Sequence, residues 1–295
     1  MLSKSFLRLS GSILSKQIKK ELKKKVKFEV EENLSKPPGL GIILVGDKAD
    51  SKIYVNMKKR ACKFVGIQNF DVHMSADVTE EEVLAQVDAF NENSDIHGIL
   101  IQLPLPSHLN EQRILNRVRL DKDVDGFHLE NVGKLAVNSK EGGVLVPCTP
   151  AGIMELLARN GIKVSGKNVV VIGRSKIVGI PISLLMLHAN ATVTVCHSRT
   201  QDYREYTRNA DIVVVAVGRA KMIKADDLKE GAVVVDVGIN RVDADNEKGY
   251  VIVGDVDFED VKSKVSAITP VPGGVGPMTI AMLLKHTVDA WNPSR

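Results

Sequence analysis

Two side chains that could move protons and hold a flat ring lie four residues apart, at Tyr54 and Lys58. If this segment is helical, both side chains share one face. A lysine whose pKa is lowered toward neutrality by desolvation can give and take protons, and a tyrosine beside it can stack on a heterocycle. An exposed pair without function has the same spacing, so these two residues alone leave both interpretations open.

Two polar residues further along the chain lie where parallel α/β sheets bind ligands. Gln102 is near the end of a predicted strand at residues 98–103, directly before a turn with two prolines, and Asp125 precedes Gly126 in a loop. Ligands of such sheets lie at the carboxyl ends of the strands and at the loops that follow them. Both residues are therefore candidates for a substrate site, although an Asp-Gly pair is also a common turn.

A run rich in proline and glycine lies near the end of the chain, from Thr269 to Thr279. Prolines hold the backbone rigid, and glycines let a ligand approach it closely. Because a flexible linker would be more polar, the run predicts a wall against which a ligand lies.

A phosphate-binding turn is predicted where an apolar strand at residues 168–172 meets Gly173 and a helix that starts near Gly179. A glycine permits the sharp turn, and the N-terminus of the following helix presents free N–H groups to a phosphate. The two glycines have the spacing G-x5-G, which differs from the dinucleotide fingerprint G-x-G-x-x-G. A glycine turn that merely joins a strand to a helix is therefore the alternative.

The end of the next predicted strand, at residues 191–196, favours NADP over NAD as the cofactor. A carboxylate at this point binds the ribose of NAD, whereas a cation accommodates the 2′-phosphate of NADP. The chain has Ser198 and Arg199 here, no carboxylate before Asp202, and a second candidate cation at Arg174. The alternative is that Arg199 simply points into solvent.

Strands alternate with helices along the chain, which predicts parallel sheets covered by helices and hence an α/β protein. A length of 295 residues suits two domains. We expect an N-terminal parallel α/β catalytic domain at residues 1–149, closed by a C-terminal helix at 277–292. A Rossmann-type dinucleotide-binding domain is expected at residues 150–276, with the active cleft between the two domains.

The individual elements follow from apolar runs and from residues that begin or end helices. Ser51 is predicted to cap a helix that Gly66 ends, and Thr79 with Glu82 forms a capping-box pattern. A charged helix is expected at residues 10–34. Strands are predicted at 40–45, 70–74, 98–103, 168–172, 191–196, 212–217, 232–237, 251–253 and 267–268.

Composition narrows the classes of partner. Hydrophobic residues make up 44 % and charged residues 26 % of the chain, and the formal net charge is +4. These are ordinary globular values, and without a nucleic-acid-binding motif or a long apolar run we expect neither nucleic acid nor a membrane as partner. The 3 scattered cysteines have no CxxC spacing, so we expect no disulfide framework and no metal site.

The first twenty residues are basic and contain no acidic residue. Such a segment is typical of a mitochondrial transit peptide, but it also fits the start of the first helix. We expect a cytoplasmic protein, with the mitochondrial matrix as the alternative.

Taken together, these segments give the chain a resemblance to the bifunctional methylenetetrahydrofolate dehydrogenase/cyclohydrolase family. Six segments occur in the family's order and cover roughly residues 10 to 290: Tyr54–Lys58, Gly98–Pro104, Lys122–Gly126, Pro147–Pro150, Gly173–Gly179 and Pro270–Thr279. The chain has Leu120-Asp121 where the family often has a proline. This departure affects the loop rather than the chemistry.

The resemblance implies an enzyme that oxidises 5,10-methylenetetrahydrofolate to the methenyl form with a nicotinamide dinucleotide and hydrolyses the product to 10-formyltetrahydrofolate. The strand end that selects the cofactor varies within the family between NAD and NADP use, and here Ser198 and Arg199 favour NADP, with NAD as the less favoured cofactor. The resemblance implies that Lys58 is the catalytic base and acid, that Gln102 places it, that Tyr54 stacks on the folate and that Asp125 bonds the pterin. It also implies a homodimer formed through the nucleotide-binding domains. The remaining implied folate contacts are Ile101, Leu103, Pro272, Gly273 and Gly276, and the implied cofactor contacts are Gly173, Arg174, Ser175, Ser198 and Ile239.

Three other interpretations stay open at the level of sequence. A different two-domain dehydrogenase, acting on amino acids or shikimate-like compounds, would share the Rossmann-type half but not explain the run from Thr269 to Thr279. A nucleotide-sensing module without chemistry is disfavoured by the presence of both Lys58 and Gln102. An enzyme with only one of the two folate activities has the same residues, so the sequence does not separate it from the bifunctional one.

Overall fold

The structure, a computed structural model, describes residues 6–32, 36–139, 145–247 and 249–291. The strands are β1 (Leu7–Arg8), β2 (Gly39–Val45), β3 (Gln68–Met74), β4 (Gly98–Ile101), β5 (Asn168–Ile172), β6 (Thr192–Cys196), β7 (Ile212–Val215), β8 (Val233–Asp236), β9 (Asn240–Asp243), β10 (Tyr250–Val253) and β11 (Ala267–Ile268). The helices are α1 (Gly11–Glu32), α2 (Ala49–Val65), α3 (Glu80–Glu92), α4 (Glu111–Leu115), α5 (Leu129–Ala136), α6 (Cys148–Arg159), α7 (Gly179–His188), α8 (Arg204–Thr207), α9 (Phe258–Val261) and α10 (Val275–Trp291).

The chain forms two compact units, which we name by their sheets. The three-stranded unit comprises Lys16–Cys148 and Ile280–Arg295, and the six-stranded unit comprises Met1–Ser15 and Thr149–Thr279. We predicted that residues 1–149 belong to the first domain, but β1 pairs in parallel with β11 and so groups residues before Lys16 with the six-stranded unit. A two-residue strand has no periodicity that a sequence pattern could detect, which is why this pairing was not predicted.

The three-stranded unit is built on a parallel sheet with the order β3-β2-β4. Every residue of β2 is buried, as expected for the central strand of a parallel sheet covered on both faces. Val83, Val87 and Phe90 of α3 pack in the same core as Ile43 of β2 and Ile101 of β4. This core holds the carboxyl end of β4, and therefore Gln102 just after it, in a rigid position.

The ends of α2 and α3 follow local chemistry, with one exception. Thr79 and Glu82 form the predicted capping box at the start of α3, and Gly66 ends α2 in the left-handed conformation with φ 98°. Ser51, however, does not cap α2. The helix begins two residues earlier, after Lys48, and Ser51 is a buried residue of its first turn.

The six-stranded unit contains a parallel sheet with the order β1-β11-β8-β7-β5-β6. The strands β5, β7 and β8 are short valine-rich runs that are almost wholly buried, as predicted. The predicted strand at 251–253 does not join this sheet. It forms an antiparallel ribbon, β9–β10, whose partner strand Asn240–Asp243 is too polar to have been predicted.

Within the described part of the chain, no helix combines the length and the apolar character needed to cross a lipid bilayer. Cys62, Cys148 and Cys196 are free and buried.

Candidate active site

Lys58 and Gln102 meet in the three-stranded unit. Lys58 Nζ on α2 donates a hydrogen bond of 2.9 Å to Gln102 Oε1. The backbone N–H of Gln102 donates to Ile43 O at 2.9 Å, and its side-chain Nε2 donates to Leu103 O at 2.8 Å. Because both groups are anchored, the Gln102 amide presents its oxygen to Lys58, which fixes the position of the amine.

Tyr54 lies one turn before Lys58 on α2 and is half-buried. Burial raises the pKa of the Tyr54 phenol, and the negative charge of Asp50 raises it further. The ring therefore stays neutral at physiological pH, next to the amine of Lys58 on the same helix face.

Lys122 is the first residue of the Lys122–Gly126 segment, and its side chain bonds to the backbone rather than facing a ligand. Its side chain is buried, with 8 % exposure. Its Nζ donates to three backbone oxygens where α3 ends, those of Phe90 at 3.3 Å, Asn91 at 2.8 Å and Asn93 at 2.8 Å. The carbonyls of Phe90 and Asn91 are among those that a helix leaves without partners at its C-terminus, so Lys122 attaches the loop to α3.

Asp123 is the internal support of the same loop. Its buried carboxylate accepts hydrogen bonds from Phe127 N at 3.2 Å, His128 N at 2.9 Å and Asn131 Nδ2 at 2.8 Å. Burial raises the pKa of Asp123 to about 6, although these three donors act in the opposite direction. Of the two carboxylates in this motif, Asp123 is therefore committed to holding the loop, and Asp125 is the one left for a ligand.

Asp125 is partly buried and interacts with Lys58. Burial raises the pKa of Asp125, while the positive charge of Lys58 and the nearby Cys148 thiol lower it. The structure thus brings Lys58, Gln102, Asp125 and Tyr54 of the predicted site together within one unit. An amine, an amide and a carboxylate around one point can bind a polar heterocycle and transfer protons at it.

Ile101 and Leu103, the predicted folate contacts on either side of Gln102, have apolar side chains that face the core. Ile101 is 3 % exposed and packs in the core of the three-stranded unit, and Leu103 packs against the same core. Their side chains therefore support the strand end, and the backbone around Gln102 is the part that a ligand could reach.

The predicted wall lies in the six-stranded unit. The Val271–Pro272 peptide bond is cis, and Gly273 has a left-handed backbone with φ 104°. The carbonyl of Gly273 accepts a hydrogen bond of 2.9 Å from Ser12 N at the start of α1. A Cβ atom added to Gly276 would meet no heavy atom within 4 Å, so the chain is open at this residue.

Gly173 forms the predicted sharp turn after β5. Its φ is +124°, and its N–H donates to Cys196 O at 2.9 Å. A Cβ atom at this position would collide with the carbonyl oxygen of Ala216, so only glycine fits.

The N–H groups at the start of α7 are not free, contrary to the prediction. The Ser175 hydroxyl accepts from Val178 N at 3.2 Å and Gly179 N at 3.3 Å, and the carbonyl of Ser175 accepts from Ile180 N at 3.1 Å. The O–H of Ser175 itself can still donate to a phosphate.

The remaining predicted cofactor contacts are exposed. Arg174, Ser198 and Arg199 have solvent-accessible side chains, and Ile239 is 51 % exposed although it is apolar. Among the ion pairs within residues 6–32, 36–139, 145–247 and 249–291, neither arginine has a carboxylate partner. Both cations are therefore available for an anionic ligand.

Two buried aspartates organise the loops of the six-stranded unit and were not predicted from the sequence. Asp255 accepts from Val217 N at 2.7 Å, Gly218 N at 3.0 Å and Arg219 N at 2.8 Å, just beyond β7. Asp236, at the end of β8, accepts from the backbone N–H groups of Gly238, Asp255 and Val256, each at 2.9 Å. The signal that could have found them is an aspartate at a strand end with a glycine one or two residues away, in Asp236–Gly238 and Gly254–Asp255.

Cys148 and His286 are two further residues of the site that the prediction did not assign. Both lie beside the Val124 carbonyl, next to Asp125. Among the residues that the structure describes, no three or more His, Cys, Asp or Glu side chains are arranged to hold a metal ion.

Comparisons with known proteins agree over nearly the whole chain. Residues 9–125 match the family model described as tetrahydrofolate dehydrogenase/cyclohydrolase, catalytic domain, and residues 147–295 match that of the NAD(P)-binding domain of the same family. The bifunctional protein FolD 2 of Arabidopsis thaliana is 50 % identical over 282 residues, covering 95 % of this chain and 94 % of that protein. The bifunctional protein FolD of Bacillus licheniformis is 54 % identical over 278 residues, covering 93 % and 95 %.

Two solved structures are similar over the same length. The bifunctional FolD methylenetetrahydrofolate dehydrogenase/cyclohydrolase of Campylobacter jejuni has a TM-score of 0.93 at 47 % identity, covering 99 % of this chain and 100 % of that chain. The Trypanosoma brucei methylenetetrahydrofolate dehydrogenase-cyclohydrolase, complexed with NADP cofactor and inhibitor, has a TM-score of 0.93 at 39 % identity, covering 98 % of each chain.

Proposed function

Since the chain belongs to the tetrahydrofolate dehydrogenase/cyclohydrolase family, we propose that it oxidises 5,10-methylenetetrahydrofolate with NADP and hydrolyses the product to 10-formyltetrahydrofolate. The observation that carries this function is the contact of Lys58 with Gln102 beside Asp125, in a chain about half identical to bifunctional relatives. In the first reaction the methylene carbon loses a hydride and becomes the methenyl cation. In the second, water adds to that carbon, the bond to one ring nitrogen breaks, and one proton is released.

The residues of the six-stranded unit fit NADP. The turn at Gly173 has no room for a side chain, and the exposed Arg174 and Arg199 have no ion-pair partner within the described residues. Cations at this point suit a ribose 2′-phosphate. When bound, NADP supplies the oxidant that accepts the hydride.

We assign the holding of NADP to six residues. The Ser175 hydroxyl and the Arg174 guanidinium would contact its phosphates, and Ser198 with Arg199 would bind the 2′-phosphate. Ile239, half exposed although apolar, would cover a flat ring of the cofactor, and Gly173 would let its backbone approach.

Lys58 is the residue that we assign to proton transfer. It is held by Gln102, and it can receive the proton of the attacking water and return one to the ring nitrogen as the carbon–nitrogen bond breaks. Tyr54 and Asp125 bind the pterin, Tyr54 through its neutral ring and Asp125 through hydrogen bonds from the pterin N–H groups. Pro272, Gly273 and Gly276, with the backbone around Ile101 and Leu103, contact the rest of the folate.

A lysine substitution with a matched control tests this assignment. Lys58→Met removes the amine and keeps the length of the side chain, whereas Lys59→Met removes a neighbouring amine that pairs with Asp71 at 2.6 Å. General acid–base catalysis contributes about 10²- to 10⁴-fold, so K58M should lose cyclohydrolase turnover by at least that lower factor, and K59M should keep it. Both variants should bind NADP as the unmodified chain does, as measured by calorimetry. Hydrolysis of methenyltetrahydrofolate at the normal rate by K58M would remove Lys58 from this role.

We also propose that the protein is a homodimer formed through its nucleotide-binding domains. The β9–β10 ribbon supports this, because its cross-strand pair Val242 and Val251 is exposed and offers an apolar contact to a second copy. Sedimentation equilibrium should give twice the mass of the chain. A monomer mass at micromolar concentration contradicts this proposal.

For its location we propose the cytoplasm, with the mitochondrial matrix as the alternative. Leu7 and Arg8 form a strand of the sheet, and Leu9 is fully buried. Residues from Leu7 onward therefore belong to the fold, which supports the cytoplasm. Fractionation of the source cells, with mass spectrometry of the N-terminal peptide, distinguishes the two locations. A processed N-terminus in the mitochondrial fraction would favour the alternative.

A further inference from the structure

The backbone oxygen of Val124 is buried in the three-stranded unit, where two side chains from other parts of the chain approach it. His286 on α10 approaches it with Nδ1 at 3.0 Å, and the Cys148 thiol approaches it with Sγ at 3.3 Å. Val124 is 0 % exposed and Cys148 is 2 % exposed, and the Cys148 Sγ and His286 Nδ1 atoms are 3.6 Å apart. A carbonyl in this environment has no water to bind, so these side chains supply its hydrogen bonds.

The direction of the bond from His286 follows from its partner. A carbonyl oxygen only accepts, so the Nδ1 atom of His286 carries the hydrogen. Burial lowers the pKa of His286, which keeps the ring neutral at physiological pH. The thiol is the weaker of the two donors.

This carbonyl matters because it belongs to the peptide unit that leads into Asp125. The Val124–Asp125 peptide is a rigid plane, so anchoring its oxygen sets the direction in which the backbone enters Asp125. Two other anchors of this loop, the Asp123 carboxylate and the Gly126 N–H that donates to Asp123 O at 3.0 Å, act locally, and Lys122 attaches the start of the loop to α3. His286 is a donor from a distant helix, 162 residues away in the chain.

We propose that His286 is a positioning residue for the folate site, which acts by holding the Val124–Asp125 peptide so that the Asp125 carboxylate faces the pterin. The inference rests on the proposed function, because it takes Asp125 to be the pterin ligand. It predicts that the contact of His286 controls folate binding, with a smaller effect on turnover and none on NADP binding.

Three substitutions separate this role from simple packing. In His286→Asn, the side-chain Nδ2 takes the place of the ring Nδ1 and keeps the donor. In His286→Gln, the same amide is displaced by one methylene group, and in His286→Leu the donor is lost while apolar bulk remains. Asparagine and glutamine have the same amide group, so the comparison of H286N with H286Q tests only the position of the donor.

Steady-state kinetics of both reactions give the main measurement. The loss of one buried hydrogen bond corresponds to a rise of about five- to tenfold in the KM for methylenetetrahydrofolate in H286L and H286Q. The H286N variant should stay within about twofold of the unmodified chain, and the KM for NADP should not change in any variant. Equal loss in H286N and H286L, or an unchanged folate KM in H286L, overturns the proposal.

Amide hydrogen exchange of the peptide that covers residues 120–130 provides a readout that is independent of activity. Faster exchange in H286L and H286Q, but not in H286N, is expected while the thermal midpoint falls only slightly. Unchanged exchange in H286L would exclude any hold on the loop. If the unmodified protein turns over neither folate, the proposed function fails and the inference about substrate fails with it, whereas an active protein with H286L kinetics unchanged refutes only the inference.

Discussion

Replacing Gly276 by alanine can reveal a ligand contact without a structural effect, because the space beside this residue is open. A Cβ atom at Gly276 would meet no heavy atom within 4 Å, and the residue is the second of α10. Alanine loses less backbone entropy than glycine on entering a helix. The G276A substitution should therefore leave the free energy of unfolding unchanged or raise it by up to about 1 kcal/mol.

Gly274 is the matched control, two residues earlier in the same run. A Cβ atom there would lie 2.6 Å from Pro270 O and 2.8 Å from the Cβ of Thr269. Overpacking of this kind costs about 1–3 kcal/mol, and each kcal/mol lowers the thermal midpoint of a domain this size by about 2–4 °C. G274A should therefore be visibly less stable, and G276A should not.

For folate binding the order should be reversed, with G276A impaired more than G274A. If the folate lies against Gly276, the added methyl group takes space that the substrate needs. The same range of about 1–3 kcal/mol then raises the KM for methylenetetrahydrofolate by about 5- to 150-fold. Initial rates of NADP reduction at varied folate measure this, and the KM for NADP should stay constant.

A G276A protein with an unchanged thermal midpoint and an unchanged folate KM would refute the placement of Gly276 at the folate. A G276A protein that unfolds at a clearly lower temperature would refute the open space beside the residue, and with it the reasoning from that space.

Two further predictions concern the cofactor and the pH dependence of stability. The Arg199→Ser substitution removes a charge-assisted hydrogen bond to the 2′-phosphate, so the KM for NADP should rise by about 10- to 100-fold while that for NAD stays nearly constant. An unchanged ratio of kcat/KM for NADP and NAD would exclude Arg199 from cofactor choice. Asp123 has its pKa raised by burial to about 6, above the ordinary value of 3.8, so its protonated form is favoured in the fold. Its contribution to stability is fully present below the lower value and is lost as pH rises through the higher one. In urea titrations between pH 4 and pH 7, the free energy of unfolding should therefore fall by about 1–3 kcal/mol relative to Asp123→Asn. A difference between the two proteins that does not vary with pH contradicts this reasoning.

Much of the fold could be predicted because its signals are local. The strand at Asn168–Ile172 is a short valine run that must be buried on both faces, and its bounds agree with the prediction. The capping box of Thr79 and Glu82 and the terminating Gly66 need only neighbours within four residues. The family could be recognised for a related reason, since six short motifs in a fixed order are specific even though each is weak alone.

Local sequence signals gave wrong predictions where more than one residue could fill the same structural role, or where pairing depends on the path of the chain. Ser51 has the right chemistry for a cap, but α2 begins before it. Asn240–Asp243 has no strand-like pattern, yet it pairs with Tyr250–Val253 because the chain turns back on itself there. The N–H groups at the start of the helix near Gly179 were expected to be free for a phosphate, but the Ser175 hydroxyl accepts hydrogen bonds from those of Val178 and Gly179.

The sequence by itself determined the fold class, the order of the motifs and the identity of Lys58, Gln102 and Asp125 as candidates for one site. It did so because strands, turns and caps are specified by residues close together in the chain. Only the tertiary structure decided which charged residue of the Lys122–Gly126 segment is free for a ligand, and which distant side chain anchors that segment. Hydrogen bonds such as that from His286 to Val124 span 162 residues, and their geometry exists only after the helices have packed.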